Sequence, residues 1–160
     1  MSCKVIIDGR LPKSITLTKA ELKSAAQLFA SLSAARSGLE FRDVTVVLQD
    51  DEASDAAHRS IMDVAGATDV ITQRYDAMPG EADGVYGELY VNCDRAISAA
   101  PSRKGWSPAK ELMLYVAHGM DHLSGADDHS PADYARMRRR ELRWLSQIDT
   151  RSRTCASKVR

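Results

Sequence analysis

The stretch AHGMDHLSGADDHS, Ala117–Ser130, decides how the rest of the chain is read. His118 and His122 stand four residues apart. On a helix that spacing puts both rings on one face, about 6 Å apart along the axis. Two imidazoles so placed can hold one Zn²⁺ from the same side. Two histidines at this spacing also occur on ordinary surface helices, so the pair alone is a weak signal. The context strengthens it. Three of the chain's four histidines, the third being His129, fall within twelve residues. Gly125 then turns the chain and can swing a third ligand back, with Asp127, Asp128 and His129 just beyond.

Upstream, Ser107 followed by Pro108 is a helix start, a hydroxyl to cap and a proline preset for the first turn. The predicted helix carries Leu112, Val116, Met120 and Leu123 as an apolar stripe, and Gly125 ends it. Downstream, Ser130-Pro131 starts a last helix with Met137, Leu142 and Leu145, running to about Ile148. Toward the N-terminus, CKVIID (Cys3–Asp8) reads as a strand. Thr18 and Glu21 form a capping box opening a helix with Leu22, Ala25, Ala26, Phe29 and Leu32 on one face, ended by Gly38. VTVVLQ (Val44–Gln49) is a second strand. Asp50 or Asp51 then caps a helix running to Met62, and Gly66 breaks it. Asp69–Thr72 is a short strand, Tyr75–Val85 a turn or exposed loop, and GELYVN (Gly87–Asn92) a strand suited to a sheet interior. Asp94 is expected to cap a short helix that stops before Pro101. The order predicts one α+β domain over residues 1–148, a four-stranded mixed sheet with packed helices, including a zincin-like metal helix. Residues 149–160 read as a basic, disordered tail.

With 160 residues, 44% of them hydrophobic, the chain can bury a core without disulfides. Cys3, Cys93 and Cys155 are far apart and form no CxxC pair, which suits a reducing compartment. Cys155 reads as an exposed thiol in the tail. No apolar run approaches a membrane span and the N-terminus has no apolar signal region, so the expectation is a cytoplasmic, soluble protein with no membrane association. Net charge is zero but unevenly spread. From Arg136 to Arg160 there are nine basic and two acidic residues, against thirteen basic and twenty acidic elsewhere. That asymmetry suits either a nucleic-acid-facing end or a solvated helix face.

Several ordered blocks resemble the YbeY family of rRNA-maturation endoribonucleases. His118–Leu123 is similar to its HGxLHL motif, followed by a GYDH-like turn. ELMLYVAHG resembles its helix, TDVIT (Thr68–Thr72) its TDVLS strand, and GELYVN with Asp94-Arg95-Ala96 its GEIxI strand and following helix. The likeness covers roughly residues 44 to 145. It implies a metal-dependent, single-strand-specific endoribonuclease of rRNA maturation and ribosome quality control, with Zn²⁺ as cofactor and rRNA and ribosomal particles as partners. The family spacing of the third ligand falls on Asp128, where the family usually has histidine. Either Asp128 takes that place, as in some branches, or the turn is one residue longer and His129 does. An anionic ligand offsets more of the metal's charge and leaves bound water less acidic than three histidines would.

The chain also departs from the family pattern. Met62 stands where the family often has an arginine, with Arg59 one turn earlier as a substitute. Gln73 replaces a usual Phe. Asp121 replaces an apolar residue before the second histidine; it points about 100° away from His122 and reads as a solvent-facing acid. Gly119 follows His118 where a zinc protease keeps its glutamate base, which counts against a zincin-like metallopeptidase. Glu88 or a substrate phosphate is the candidate base, and Arg59 with the Arg136–Arg143 cluster the candidate phosphate anchors. Met137, Trp106 and Trp144 read as packing residues, while Tyr75 and Tyr90 offer faces on which bases can stack. A third reading is a non-catalytic assembly factor stabilised by zinc.

Overall fold

A computed structural model describes the backbone of residues 2–157 and the side chains of residues 2–148. The elements are β1 (Lys4–Asp8), α1 (Lys19–Ser37), β2 (Phe41–Gln49), α2 (Asp51–Met62), β3 (Val70–Tyr75), β4 (Val85–Asn92), α3 (Cys93–Ala99), α4 (Pro108–Leu123) and α5 (Pro131–Ser157), with a short 3₁₀ turn at Ala100–Ser102. The sheet order is β1-β2-β4-β3. β1, β2 and β4 are parallel and β3 runs antiparallel on the β4 edge, so the sheet is mixed. The fold is a single α+β domain, as the sequence predicts.

The strands are longer than their apolar runs. β2 begins at Phe41 because Phe41 pairs with Val85, and β3 reaches Tyr75 because Tyr75 pairs with Tyr86. Ladder partners on other strands, not local hydrophobicity, set these ends. Alternation along β4 separates two faces. Val85, Gly87, Leu89 and Val91 are buried, whereas Tyr86, Glu88 and Tyr90 are half-buried on the other side.

Helix termini follow local chemistry. Thr18 and Glu21 close the capping box of α1, and Gly38 ends it at φ 76°. Asp50 accepts the Ala53 N–H at the start of α2, and Ser107 does the same for Lys110 at the start of α4. The cap of α3 is Asn92, not Asp94. β4 runs into α3 without an intervening residue, so its last side chain occupies the cap, and the Asp94 carboxylate instead accepts the Asp51 N–H of α2. α5 continues to Ser157 rather than stopping near Ile148. After Pro131 it contains no glycine or proline to break it, and a helical backbone does not need an apolar stripe to persist. The predicted tail from 149 onward, Cys155 included, lies outside the residues whose side chains are described.

The central helix is α4. It packs on β3 and β4 and is flanked by α1, α3 and α5, so it is buried on nearly every side and not only along its predicted stripe. Two glycines let it approach the sheet. A Cβ at Gly119 would lie 2.7 Å from Leu89 Cδ2, and one at Gly87 would lie 2.6 Å from Leu123 Cδ2. Each glycine thus receives a leucine of the opposing element. Trp144 of α5 stacks on Phe29 of α1 with ring centroids 6.5 Å apart, and Trp106 donates its indole N–H to Glu111 at 2.7 Å. Met137 is buried, as expected.

Asp121 corrects one expectation. It is fully buried, not solvent-facing. Arg140 donates to Asp121 Oδ2 from Nε at 2.9 Å and Nη2 at 2.7 Å. Arg36 Nε stands 3.3 Å from Oδ1 as an ion pair without hydrogen-bond alignment, and among the described residues Oδ1 accepts no hydrogen bond. The direction about 100° from His122 opens on the crevice between α1 and α5, because α4 is enclosed.

Candidate metal centre

The site begins with the last turn of α4. Its end is held by Arg74, which donates to the Leu123 carbonyl at 3.1 Å, and by the Gly125 N–H bonded to the His122 carbonyl at 2.9 Å. Gly125 has φ 92°, a left-handed conformation that glycine adopts without a Cβ penalty. The chain therefore folds back sharply. Ala126 presents its carbonyl to His122 Nδ1 at 3.0 Å, and Asp128 comes up beside both imidazoles.

A carbonyl oxygen only accepts, so His122 Nδ1 carries the proton and its Nε2 lone pair faces inward. His118 is fixed in the same sense, Nδ1 donating to Glu141 Oε1 at 2.5 Å. The two Nε2 atoms then face each other at 3.0 Å. Asp128 Oδ2 completes a triangle, 3.5 Å from His118 Nε2 and 3.4 Å from His122 Nε2. Three lone-pair donors this close repel unless an electrophile lies between them. Tetrahedral zinc bonds of about 2.0–2.1 Å set neighbouring donors about 3.3–3.4 Å apart, which these edges approximate. His118, His122 and Asp128 are thus positioned for a metal ion.

His129 is elsewhere. Its side chain is 91% exposed and its Nε2 lies 3.4 Å from Asp127 Oδ1. The Asp127 carboxylate also accepts the His129 N–H at 2.9 Å, a local turn bond that directs the histidine outward.

Glu141 was not legible as a site residue, yet it is fully buried and touches His118. Among the described residues its Oε2 has no hydrogen-bond partner, with Arg138 Nη1 3.6 Å away. Burial presses the His118 pKa down. The hydrogen bond and charge of Glu141, with the charge of Asp69, act more strongly in the other direction, and the net effect is a raised value. Orienting carboxylates of this kind fix tautomer and ring direction at metal sites. The signal was an acid on the buried face of α5, in step with Met137, Trp144 and Leu145.

The donors open on a cavity of about 350 Å³. Its far wall is residues 68–72 together with Met62 and His58. His58 and Met62 are one turn apart on α2 and face the same way. Arg59 does not line the cavity. It pairs with Asp55 at 3.0 Å and is 62% exposed. Glu88 does not line it either; it accepts a hydrogen bond from Tyr90 on the sheet face away from α4. Among the described residues no arginine or lysine lines this cavity. Within the cluster on α5, Arg136 pairs with Asp133, Arg138 donates to the Tyr134 hydroxyl, and Arg140 pairs with Asp121.

A family model described as Endoribonuclease YbeY matches residues 11–149. The chain belongs to the YbeY endoribonuclease family. Curated YbeY relatives include the Rhodopirellula baltica protein, 32% identical over 152 residues covering 92% of this chain and 77% of that one. The Salinibacter ruber protein is 29% identical over 69% of this chain and 73% of its own length. The Symbiobacterium thermophilum protein is 34% identical over 59% of this chain and 64% of its own. A Thermotoga maritima protein solved in solution shares the fold, with TM-score 0.60 at 19% identity over 96% of this chain and 95% of that chain. The YbeY match contains all three convergent donors.

Proposed function

We propose that this chain is a zinc-dependent endoribonuclease that hydrolyses single-stranded segments of rRNA during ribosome maturation and quality control in the cytoplasm. One observation carries the reading: in a YbeY-family chain, three donors converge and open on a cavity, with no fourth protein ligand among the described residues. Structural zinc sites are closed by four protein ligands, whereas catalytic ones keep a place for water or substrate. The donor set fits Zn²⁺ by chemistry, two neutral imidazoles and one carboxylate. When bound, the ion would lower the pKa of a coordinated water and polarise a phosphoryl oxygen. The chain's residues do the rest. Glu141 and the Ala126 carbonyl hold the protons on the outer ring nitrogens of His118 and His122. Asp128 supplies the anionic donor, and the wall of residues 68–72 bounds the space in which the phosphodiester lies. The domain responsible spans residues 1–148, with 149–160 as an appended basic segment.

Metal quantitation with RNA and casein cleavage tests this. Wild type should hold about one metal per chain, cut single-stranded rRNA fragments in a chelator-sensitive way and leave casein intact. Chelator-sensitive casein cleavage would overturn the reading. It is disfavoured because position 119, the zinc-protease base position, faces Leu89 at a distance that admits no side chain. A second reading, RNA binding without cleavage around a scaffolding metal, draws on the absence of arginine and lysine from the cavity lining among the described residues. Unchanged RNA affinity after chelation, with no cleavage before it, would establish it.

A further inference from the structure

Hydrolysis needs a proton acceptor, and Glu88, the side chain that the sequence suggests for it, does not line the cavity. Glu88 faces the far side of the sheet, and Gly119 is packed against Leu89. We propose that His58 is the proton acceptor of the reaction, a role resting on the nuclease reading above.

Four observations support it. His58 lines the same cavity as His118, His122 and Asp128. It is not drawn into ligation, since the convergent donors are those three without it. Its Nδ1 lies 2.8 Å from the Gly66 carbonyl, which only accepts, so the proton sits on Nδ1 and the neutral ring keeps its lone pair on Nε2. Nε2 has no protein hydrogen-bond partner among the described residues. The loop that fixes this tautomer is itself fixed: the Gly66 N–H donates to Asp55 Oδ1 at 2.6 Å, and Asp55 also holds Arg59. Asp69 is the competing base in the cavity. Its Oδ1 is already engaged by the Val70 N–H at 2.7 Å and the Thr68 hydroxyl at 3.3 Å.

In the step, His58 Nε2 takes a proton from the attacking water as the water oxygen bonds to phosphorus. The bond from phosphorus to the leaving nucleotide's oxygen breaks with its electron pair. That oxygen takes a proton from solvent, and Nε2 returns its own to solvent, so the net change is hydrolysis.

The test measures steady-state cleavage of a single-stranded oligoribonucleotide by metal-loaded wild type, His58→Gln, His58→Ala and Asp69→Asn, with metal content and melting temperature for each. For both His58 variants kcat should fall about 100-fold or more, with KM and metal per chain unchanged. Added imidazole should raise the rate of His58→Ala relative to its effect on wild type. A His58→Gln rate within about threefold of wild type, loss of metal from that variant, or a larger loss of kcat in Asp69→Asn would overturn the proposal. Metal-loaded wild type that cuts no RNA would overturn the nuclease reading and the acceptor with it. An active His58→Gln overturns the acceptor alone.

Discussion

Asp121 and His122 are neighbours on one helix, and they serve opposite ends. Asp121 faces the α1/α5 crevice, fully buried, with Arg140 and Arg36 closed around it. His122 faces the cavity, 27% exposed, with its second nitrogen aimed at His118 and Asp128. Both clusters put ionisable groups beneath the surface. In one, opposite charges meet each other. In the other, three donor atoms of like character converge on a common point. Charge closure marks a strut; convergent donors mark a place positioned for a metal ion.

Substitutions on each side should separate these roles. The largest stability effect is expected from Asp121→Ala, which leaves the largely buried Arg140 without its carboxylate, while Arg36 keeps its bond to Ser124, and should cost about 3–5 kcal/mol in urea unfolding. His122→Ala should do the reverse, abolishing stoichiometric metal while the metal-free protein unfolds close to its wild-type midpoint. If Asp121→Ala left stability intact, the strut would be refuted. Next in size, Asp128→Ala should weaken metal binding more than His129→Ala, because only Asp128 meets the imidazoles; the opposite order in a competition titration would move the ligand to His129. Glu141→Gln should lower metal affinity about 10–100-fold, the range for partners that orient a ligand.

The smallest effect concerns pH in the metal-free protein. The folded pKa of His118 is raised above its ordinary value of 6.5. Its contribution to stability is therefore fully present below about 6.5 and lost as pH rises through the raised value. Melting curves of chelated wild type and Glu141→Gln should differ most at the acidic end and converge on the alkaline side. A gap that widens with pH would contradict the sign.

Local signals carried much of the fold. The Thr18/Glu21 box, the Ser107-Pro108 start and the Gly125 stop are short-range chemistry, and each stands in the structure where the sequence places it. The spacing of His118 and His122 is equally local. What escaped depends on distant partners. Asp121 could not be read as buried because its cations lie on other helices. Glu141 looked like one more charge in an arginine-rich helix, and only the packing of α5 on α4 shows that it meets His118. His58 lies 60 residues before the cavity histidine His118, and only the packing of α2 brings it to the same cavity. The useful clue was Met62, since the residue one turn before it on the same face is His58.

Arg140 and Glu141 are consecutive residues that secure the two faces of α4, one through Asp121 and the other through His118. Glu141 follows His118 by 23 positions. As the chain leaves the ribosome, His118, His122 and Asp128 therefore emerge before the carboxylate that orients the first of them and the guanidinium that anchors their helix. The donors and the residues that hold them in place are thus separate stretches of chain, joined when α5 packs on α4.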